Sequence, residues 1–314
     1  MLLIATDEAG YGPKLGPLVI AGTAWRLKGR PDRNSISALF APLQEKQTCG
    51  ELSVKVDDSK AVFKPTVGLA GLHAIVSASL NWCGCREANL RSLLATACDD
   101  SDSIGRSPWL TLEDNDPGWL ESTATENCVS HWKSLGLSLV GVRYRVITAD
   151  AFNAACSAGG NKADLLSEST LQLVRKLREE HQGSSDSVEV FCDRHGGRRY
   201  YAGVLQHCFP ESMVQVISEE KHESSYRLCE SSSETTVRFT VKGDSFTPVA
   251  LSSLHAKYIR ERLMGALNQY FAARSSTDFK PTAGYPVDAD RFLDDIAPII
   301  EKEGIDRSTL IRAR

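Results

Sequence analysis

Asp7-Glu8-Ala9-Gly10-Tyr11-Gly12-Pro13-Lys14-Leu15-Gly16-Pro17 decides how the rest of this chain is read. It separates two apolar, β-rich runs, Leu2 to Thr6 and Pro17 to Leu27, and so joins two strands through a structured turn. A plain hairpin has no need of two adjacent acids at the end of a buried strand, followed by three glycines and two prolines.

The same context recurs twice. SVEVFC at 187–192 is a strand-like run that ends in Asp193, and TTVRFTV at 235–241 is another that leads into Lys242-Gly243-Asp244. If these strands are neighbours, Asp7, Glu8, Asp193 and Asp244 converge on one edge of a sheet. Four carboxylates held together raise one another's pKa unless cations compensate. Hard divalent ions such as Mg²⁺ or Mn²⁺ suit an all-oxygen site, and two of them activate a water and stabilise the leaving oxygen of a phosphodiester. For any single acid the plainer reading is a turn or helix-capping residue.

The remaining pattern is α/β. LSVKV at 52–56 reads as a strand ending in Asp57-Asp58-Ser59-Lys60, with a helix from Val67 to Trp82 after it. Leu137 to Thr148 reads as a strand and Asp164 to Glu180 as an amphipathic helix. MVQVIS at 213–218 is a further strand, and Thr247-Pro248 opens a long helix. Strands alternating with helices predict a mixed central sheet flanked by helices. Residues 83–136, with the acidic loop material CDDSDSIGRSP and LEDNDPGW, read as an insertion, and 218–234 as a polar, exposed segment serving as a lid or an idle loop. We expect a catalytic domain over 1–275 with a C-terminal helical extension, 276–314, packed on it.

At 314 residues, 42% hydrophobic and 24% charged, the chain has the composition of a folded domain with a full core. A net charge of −4 gives no overall basic signature, so any polyanion site is local. No apolar run approaches the roughly 20 residues of a membrane span, which leads to the expectation of a cytoplasmic monomer. Nine scattered cysteines fit reduced thiols, and Cys83-Gly84-Cys85 lacks the second pair that a zinc site needs. There is no phosphate-binding G-x-x-x-x-G-K-[ST] loop.

The opening motif resembles that of type 2 ribonucleases H, the HII and HIII enzymes. Asp58-Ser59-Lys60 is similar to the family's D-S-K motif, Asp193 to the aspartate ending its central strand, and Gly243-Asp244 with Ala250-Leu251-Ser252-Ser253-Leu254-His255-Ala256-Lys257 to its later aspartate and A-K segment. Gly284-Tyr285 resembles its late G-Y pair. The resemblance covers most of the chain outside 83–136 and 218–234. It implies a ribonuclease H-like fold in which Asp7, Glu8, Asp193 and Asp244 bind two Mg²⁺ or Mn²⁺ ions. It implies an endonuclease that cleaves the RNA strand of RNA/DNA duplexes and leaves a 3′-hydroxyl and a 5′-phosphate.

Physically, Gly10, Gly12 and Gly16 would let a nucleic-acid backbone approach the main chain. A glycine turn joining two strands is the plain alternative, and both hold together. Lys60 and Lys257 would contact phosphate, against the commoner fate of solvated lysines. The chain also departs from the family. Tyr11 stands where those enzymes carry Arg or Lys, in the loop that senses ribose there. Where the family has a simple D-G, this chain has Asp193-Arg194-His195-Gly196-Gly197-Arg198-Arg199-Tyr200-Tyr201. Arg194, Arg198 and Arg199 with the tyrosines read either as a phosphate-binding and base-stacking surface, with the glycines at a helix N-terminus, or as a solvated basic stretch with one tyrosine in the core. His195 reads as a core residue before a proton shuttle. The alternatives to a ribonuclease H are a nuclease of the same fold with changed nucleic-acid specificity and a catalytically silent nucleic-acid-binding protein.

Overall fold

The computed structural model describes residues 1–313 except 65, 67, 113–117, 184–185, 231–233 and 277. Val67 and most of LEDNDPGW therefore lie outside the described residues. The strands are β1 (Leu2–Ala9), β2 (Leu18–Arg26), β3 (Gln47–Cys49), β4 (Leu52–Val54), β5 (Ser138–Ile147), β6 (Val188–Asp193), β7 (Met213–Glu219), β8 (Glu223–Cys229) and β9 (Glu234–Thr240). The helices are α1 (Arg33–Phe40), α2 (Ser59–Val62), α3 (Ala70–Trp82), α4 (Leu90–Ala97), α5 (Ser101–Gly105), α6 (Ser122–Ser134), α7 (Ala149–Ser157), α8 (Lys162–His181), α9 (Ala202–Cys208), α10 (Thr247–Ala272), α11 (Pro286–Asp295), α12 (Ala297–Glu303) and α13 (Arg307–Leu310).

Seven strands form one mixed sheet in the order β5-β2-β1-β6-β9-β8-β7. The central trio β1-β6-β9 is parallel, and the outer pairings are antiparallel. The apolar runs of β1 and β2 are buried on both faces, as a sheet covered by helices on both sides requires. One face packs on α3, α6 and the 26-residue α10, through Leu3, Ala5, Trp25, Tyr144, Leu251 and Leu254 among others. The other packs on α8 and α9, through Leu2, Ile4, Leu173, Leu177, Val190 and Leu205. Leu90, Trp109 and Trp132 of the 83–136 segment and Phe292 of α11 belong to the first of these clusters.

Three local expectations change. The strand at 52–56 is β4, which pairs with β3 in a separate two-stranded sheet. Asp7 and Glu8 lie within β1 rather than after it, because β2 keeps pairing with them as far as Ala9↔Val19. The segment expected to be a polar loop contains β8, an interior strand of the main sheet, in which Ser224, Tyr226 and Leu228 are buried. Serines at inward positions hide its alternation: Ser224 is accommodated because its hydroxyl donates to the Arg199 carbonyl, 2.7 Å away. Among the described residues, no helix is long and apolar enough to cross a membrane.

Candidate active site

Parallel pairing of β1 with β6 runs through Thr6↔Cys192, so Asp7 and Asp193 are the next pair at the carboxyl ends of adjacent strands. Period-2 alternation puts Asp7 on the α10 face with Leu3 and Ala5, and Glu8 on the opposite face with Leu2 and Ile4. The Gly243 N–H donates to Asp193 Oδ1 at 2.6 Å, which draws the short turn carrying Asp244 against β6. Gly243 itself sits where a Cβ would lie 3.0 Å from the Asp193 Cα.

The four acids strain against burial and one another. Asp7 is pushed up to about 8 by burial and then by the Asp193 charge, although the Ser253 hydroxyl and the Glu8 N–H (2.8 Å) stabilise its ionised form. Glu8 is lifted well above the carboxylate range by burial, Asp7 and Asp193. Asp193 is raised by burial and, among nearby charges, by Asp244, while Lys60 pulls it back. Asp244 is raised by burial and by Asp58, again opposed by Lys60.

This donor set fits hard divalent cations: it is all oxygen, it is anionic, and protein cations leave its repulsion uncompensated. Among the described residues, however, no three acid, histidine or cysteine side chains are gathered closely enough to hold an ion as they stand. The alternation that sends Glu8 to the opposite face of β1 from Asp7 accounts for part of that spread.

The glycines of the first loop separate into two kinds. Gly10 has φ +91°, and a Cβ there would lie 2.5 Å from Arg260 Nε, so it is required by packing behind the loop. Gly12 has nothing within 4 Å of a would-be Cβ and is the open position. The Gly284 carbonyl accepts the Lys14 and Leu15 N–H groups at 2.7 and 3.1 Å, which stitches the Tyr285 segment onto this loop and leaves Tyr285 exposed beside it.

The expected substrate contacts are differently placed. Lys60 follows Asp58, the cap of α2, and acts on both Asp193 and Asp244. Lys257 is paired with Glu261 at 2.7 Å and lies over the Phe63 ring. Arg194 donates to the Lys221 and Glu220 carbonyls (2.7 and 3.1 Å), Arg199 to the Glu219 carbonyl (3.0 Å), and Arg198 pairs with Asp164 (2.8 Å) while donating to Ser167. These guanidinium groups tie the segment to β7, β8 and α8. Gly196 and Gly197 are not at a helix N-terminus, since α9 begins at Ala202.

His195 is buried against Tyr201 and Phe239, with Nδ1 3.0 Å from Ser167 Oγ, and burial holds it down to about 3, a neutral core imidazole. Tyr201 is in the core and Tyr200 is exposed. His255 is likewise buried, between Tyr144 and Ser79. Tyr11 is half-buried, with Lys162 over its ring, and its phenol is raised by burial and by Glu8. Asp58, Ser253 and Lys162 are neighbours of the site that sequence reasoning did not single out. The first two stood inside quoted motifs, whereas nothing local marks Lys162.

No family model and no curated protein matches the chain. Among solved structures it is similar to ribonuclease H2 from Pyrococcus horikoshii OT3, at 16% identity over 99% of this chain and 92% of the other, with a TM-score of 0.47. It is also similar to a chain of the PCNA:RNase HII complex from Archaeoglobus fulgidus (14% identity, 100% and 95% covered, TM-score 0.44) and to Bst-RNase HIII in complex with Mn²⁺ (13%, 99% and 66%, TM-score 0.42). All three likenesses fall below 25% identity and a TM-score of 0.5, so what the chain does has to be read from its own residues.

Proposed function

We propose that the chain is a divalent-metal-dependent endonuclease that hydrolyses the RNA strand of RNA/DNA duplexes, with Asp7, Glu8, Asp193 and Asp244 as its metal-binding carboxylates. One observation carries this reading: four acids lie at or just past the carboxyl ends of three adjacent parallel strands, where burial and neighbouring carboxylates raise their pKa. Such an arrangement weakens a fold and has a use only when cations are recruited.

Mg²⁺ or Mn²⁺ held there supplies an activated water and charge neutralisation at the leaving oxygen. The protein's own part is positional. Ser253 and the Glu8 N–H orient Asp7, and the Gly243 N–H orients Asp193. Gly12 offers an open main chain for a nucleic-acid backbone, and Lys60 offers an ammonium beside Asp193 and Asp244 for the scissile phosphate. Gly10 shapes that loop, Tyr285 is exposed on the segment stitched to it, and Lys257 stands on α10 paired with Glu261.

The test is cleavage of matched labelled duplexes (RNA/DNA hybrid, DNA with one embedded ribonucleotide, all-DNA, all-RNA) with Mg²⁺ or Mn²⁺, beside an Asp193→Asn control. Cutting confined to ribose-containing duplexes and lost in the control is expected. Cutting of another substrate in the panel would favour a same-fold nuclease of changed specificity, a reading that Tyr11 supports because it brings an aromatic ring where the resembling enzymes bring a cation.

A further inference from the structure

We propose that Lys162, carried on the ring of Tyr11, is a substrate-contacting residue that receives a backbone phosphate of the duplex on the Glu8 side of the carboxylates. This rests on the nuclease reading and extends it to a residue that no motif contains.

Lys162 Nζ lies 4.7 Å from the Tyr11 ring centroid, within the range of a cation–π contact. Tyr11 is three residues beyond Glu8 and feels both the Glu8 charge and the Arg198 charge. Its hydroxyl edge passes so close to Gly196 that a Cβ there would lie 3.2 Å away, so the glycine leaves the ring its place. The ammonium is thereby held over a ring that packs on the Leu2 and Ile4 face of β1 and itself feels the Glu8 charge.

Nothing in the fold itself explains a lysine there. Lys162 is the first residue of α8, at the positive end of the helix dipole, where a cation is unfavourable. The acid in that turn, Asp164, is engaged by Arg198 instead. Lys162 is exposed and, among the described residues, makes no side-chain hydrogen bond or ion pair. The neighbouring cations differ: Arg194, Arg198, Arg199 and Lys257 are all committed to carbonyls or carboxylates. Lys60 and Lys242, which act on the Asp193 and Asp244 side, and Lys162, over Tyr11, make no ion pair among the described residues.

The chemistry selects the ligand. A compact ammonium on an open surface, next to acids that need metal ions, suits an anion delivered by a polymer; a small free anion would lack the remaining contacts to stay. Holding the lysine against the ring also removes side-chain freedom that a solvated lysine would otherwise lose on binding.

The experiment measures binding apart from cleavage. In an Asp193→Asn background, anisotropy of a labelled RNA/DNA hybrid is titrated across a range of salt for Lys162, Lys162→Gln and Lys162→Arg. Loss of one phosphate contact predicts roughly five- to tenfold weaker binding at 0.1 M salt and a salt slope shallower by about 0.9, both restored by arginine. Tyr11→Leu should weaken binding too, and less so once Lys162 is already Gln. Excess inorganic phosphate should compete poorly; displacement at low concentration would mean a small-anion site and overturn the duplex assignment. Unchanged affinity and slope in Lys162→Gln, while the parent binds the hybrid, overturns the proposal alone. A folded parent that binds no duplex overturns the nuclease reading with it.

Discussion

Removing one charge from the acidic cluster should stabilise the metal-free protein, and Asp7→Asn is the cleanest way to do it. Asn keeps the Oδ1 that accepts the Glu8 N–H and the shape that meets Ser253, and deletes only the ionisable oxygen. Each tenfold change in proton affinity is worth about 1.4 kcal/mol, so a carboxyl lifted from 3.8 to about 8 carries a penalty of about 6 kcal/mol when ionised. Asn keeps the burial of a polar group and removes the charge, so we expect about 2 kcal/mol of that to be recovered, out of a total stability of about 5–15 kcal/mol. The sign follows from proton counting. Between about pH 4 and 8 the native state holds a proton that the unfolded chain has released, so stability falls as pH rises through that window. Urea unfolding in EDTA should therefore show Asp7→Asn about 2 kcal/mol less stable than the parent near pH 5, where the buried carboxyl keeps its proton, and about 2 kcal/mol more stable near pH 8.5, at an unchanged m-value. A variant that is less stable at the higher pH would refute the claim that these carboxylates strain the fold.

Mg²⁺ or Mn²⁺ should raise the melting temperature of the parent in a concentration-dependent way and release protons at neutral pH, because Asp7 and Glu8 must ionise to bind; calorimetry in buffers of different ionisation enthalpy reads the protons, and Asp193→Asn should weaken both effects. Gly10→Ala, with φ +91° and a Cβ 2.5 Å from Arg260 Nε and 2.7 Å from the Pro17 carbonyl oxygen, should lose at least about 2 kcal/mol in thermal or urea unfolding, whereas Gly12→Ala should fold as the parent does and lose duplex affinity instead. His195→Gln should lower stability by about 1–3 kcal/mol through the side-chain hydrogen bond with Ser167 and the ring packing on Tyr201 and Phe239, while the pH–rate profile keeps its shape; a missing limb would give the imidazole a catalytic part.

The acids were legible because strand ends are marked by a change from apolar to polar residues, and three such ends carried Asp at matching places. The central strands were legible as unbroken apolar runs between polar turns, and α10 as a long stretch opened by Thr247-Pro248. β8 was not, because Ser224 and Ser225 occupy inward positions and their burial is made tolerable by hydrogen bonds from distant segments, such as that of Ser224 to the Arg199 carbonyl. The arginines of 194–199 looked like a free basic surface because sequence shows charge but not commitment: their partners are carbonyls of β7 and its turn and Asp164 on α8. Lys162 was invisible for the complementary reason, since its meaning comes from a ring far away in the chain.

The loop that carries Gly10 and Gly12 is held by groups that are themselves unfavourably buried. Arg260 lies beneath Gly10 and Gly284, and Arg312 donates its guanidinium to the Pro13 carbonyl and its main-chain N–H to the Lys14 carbonyl at 3.0 Å. Burial lowers both guanidinium groups, Arg312 to about 9 with the Arg260 charge adding to it, while Glu261 opposes the lowering of Arg260; Arg260 Nε and Arg312 Nε and Nη1 find no hydrogen-bond partner among the described residues. Arg260 has Glu261 as a carboxylate partner at 3.3 Å, and neither guanidinium is among the main charges that shift Asp7, Glu8, Asp193 or Asp244. A sequence selected for stability alone would bring such charges together or remove them. On the proposed reading, the two arginines brace the loop's main chain from behind and leave the carboxylates to cations and a polyanion arriving from solution.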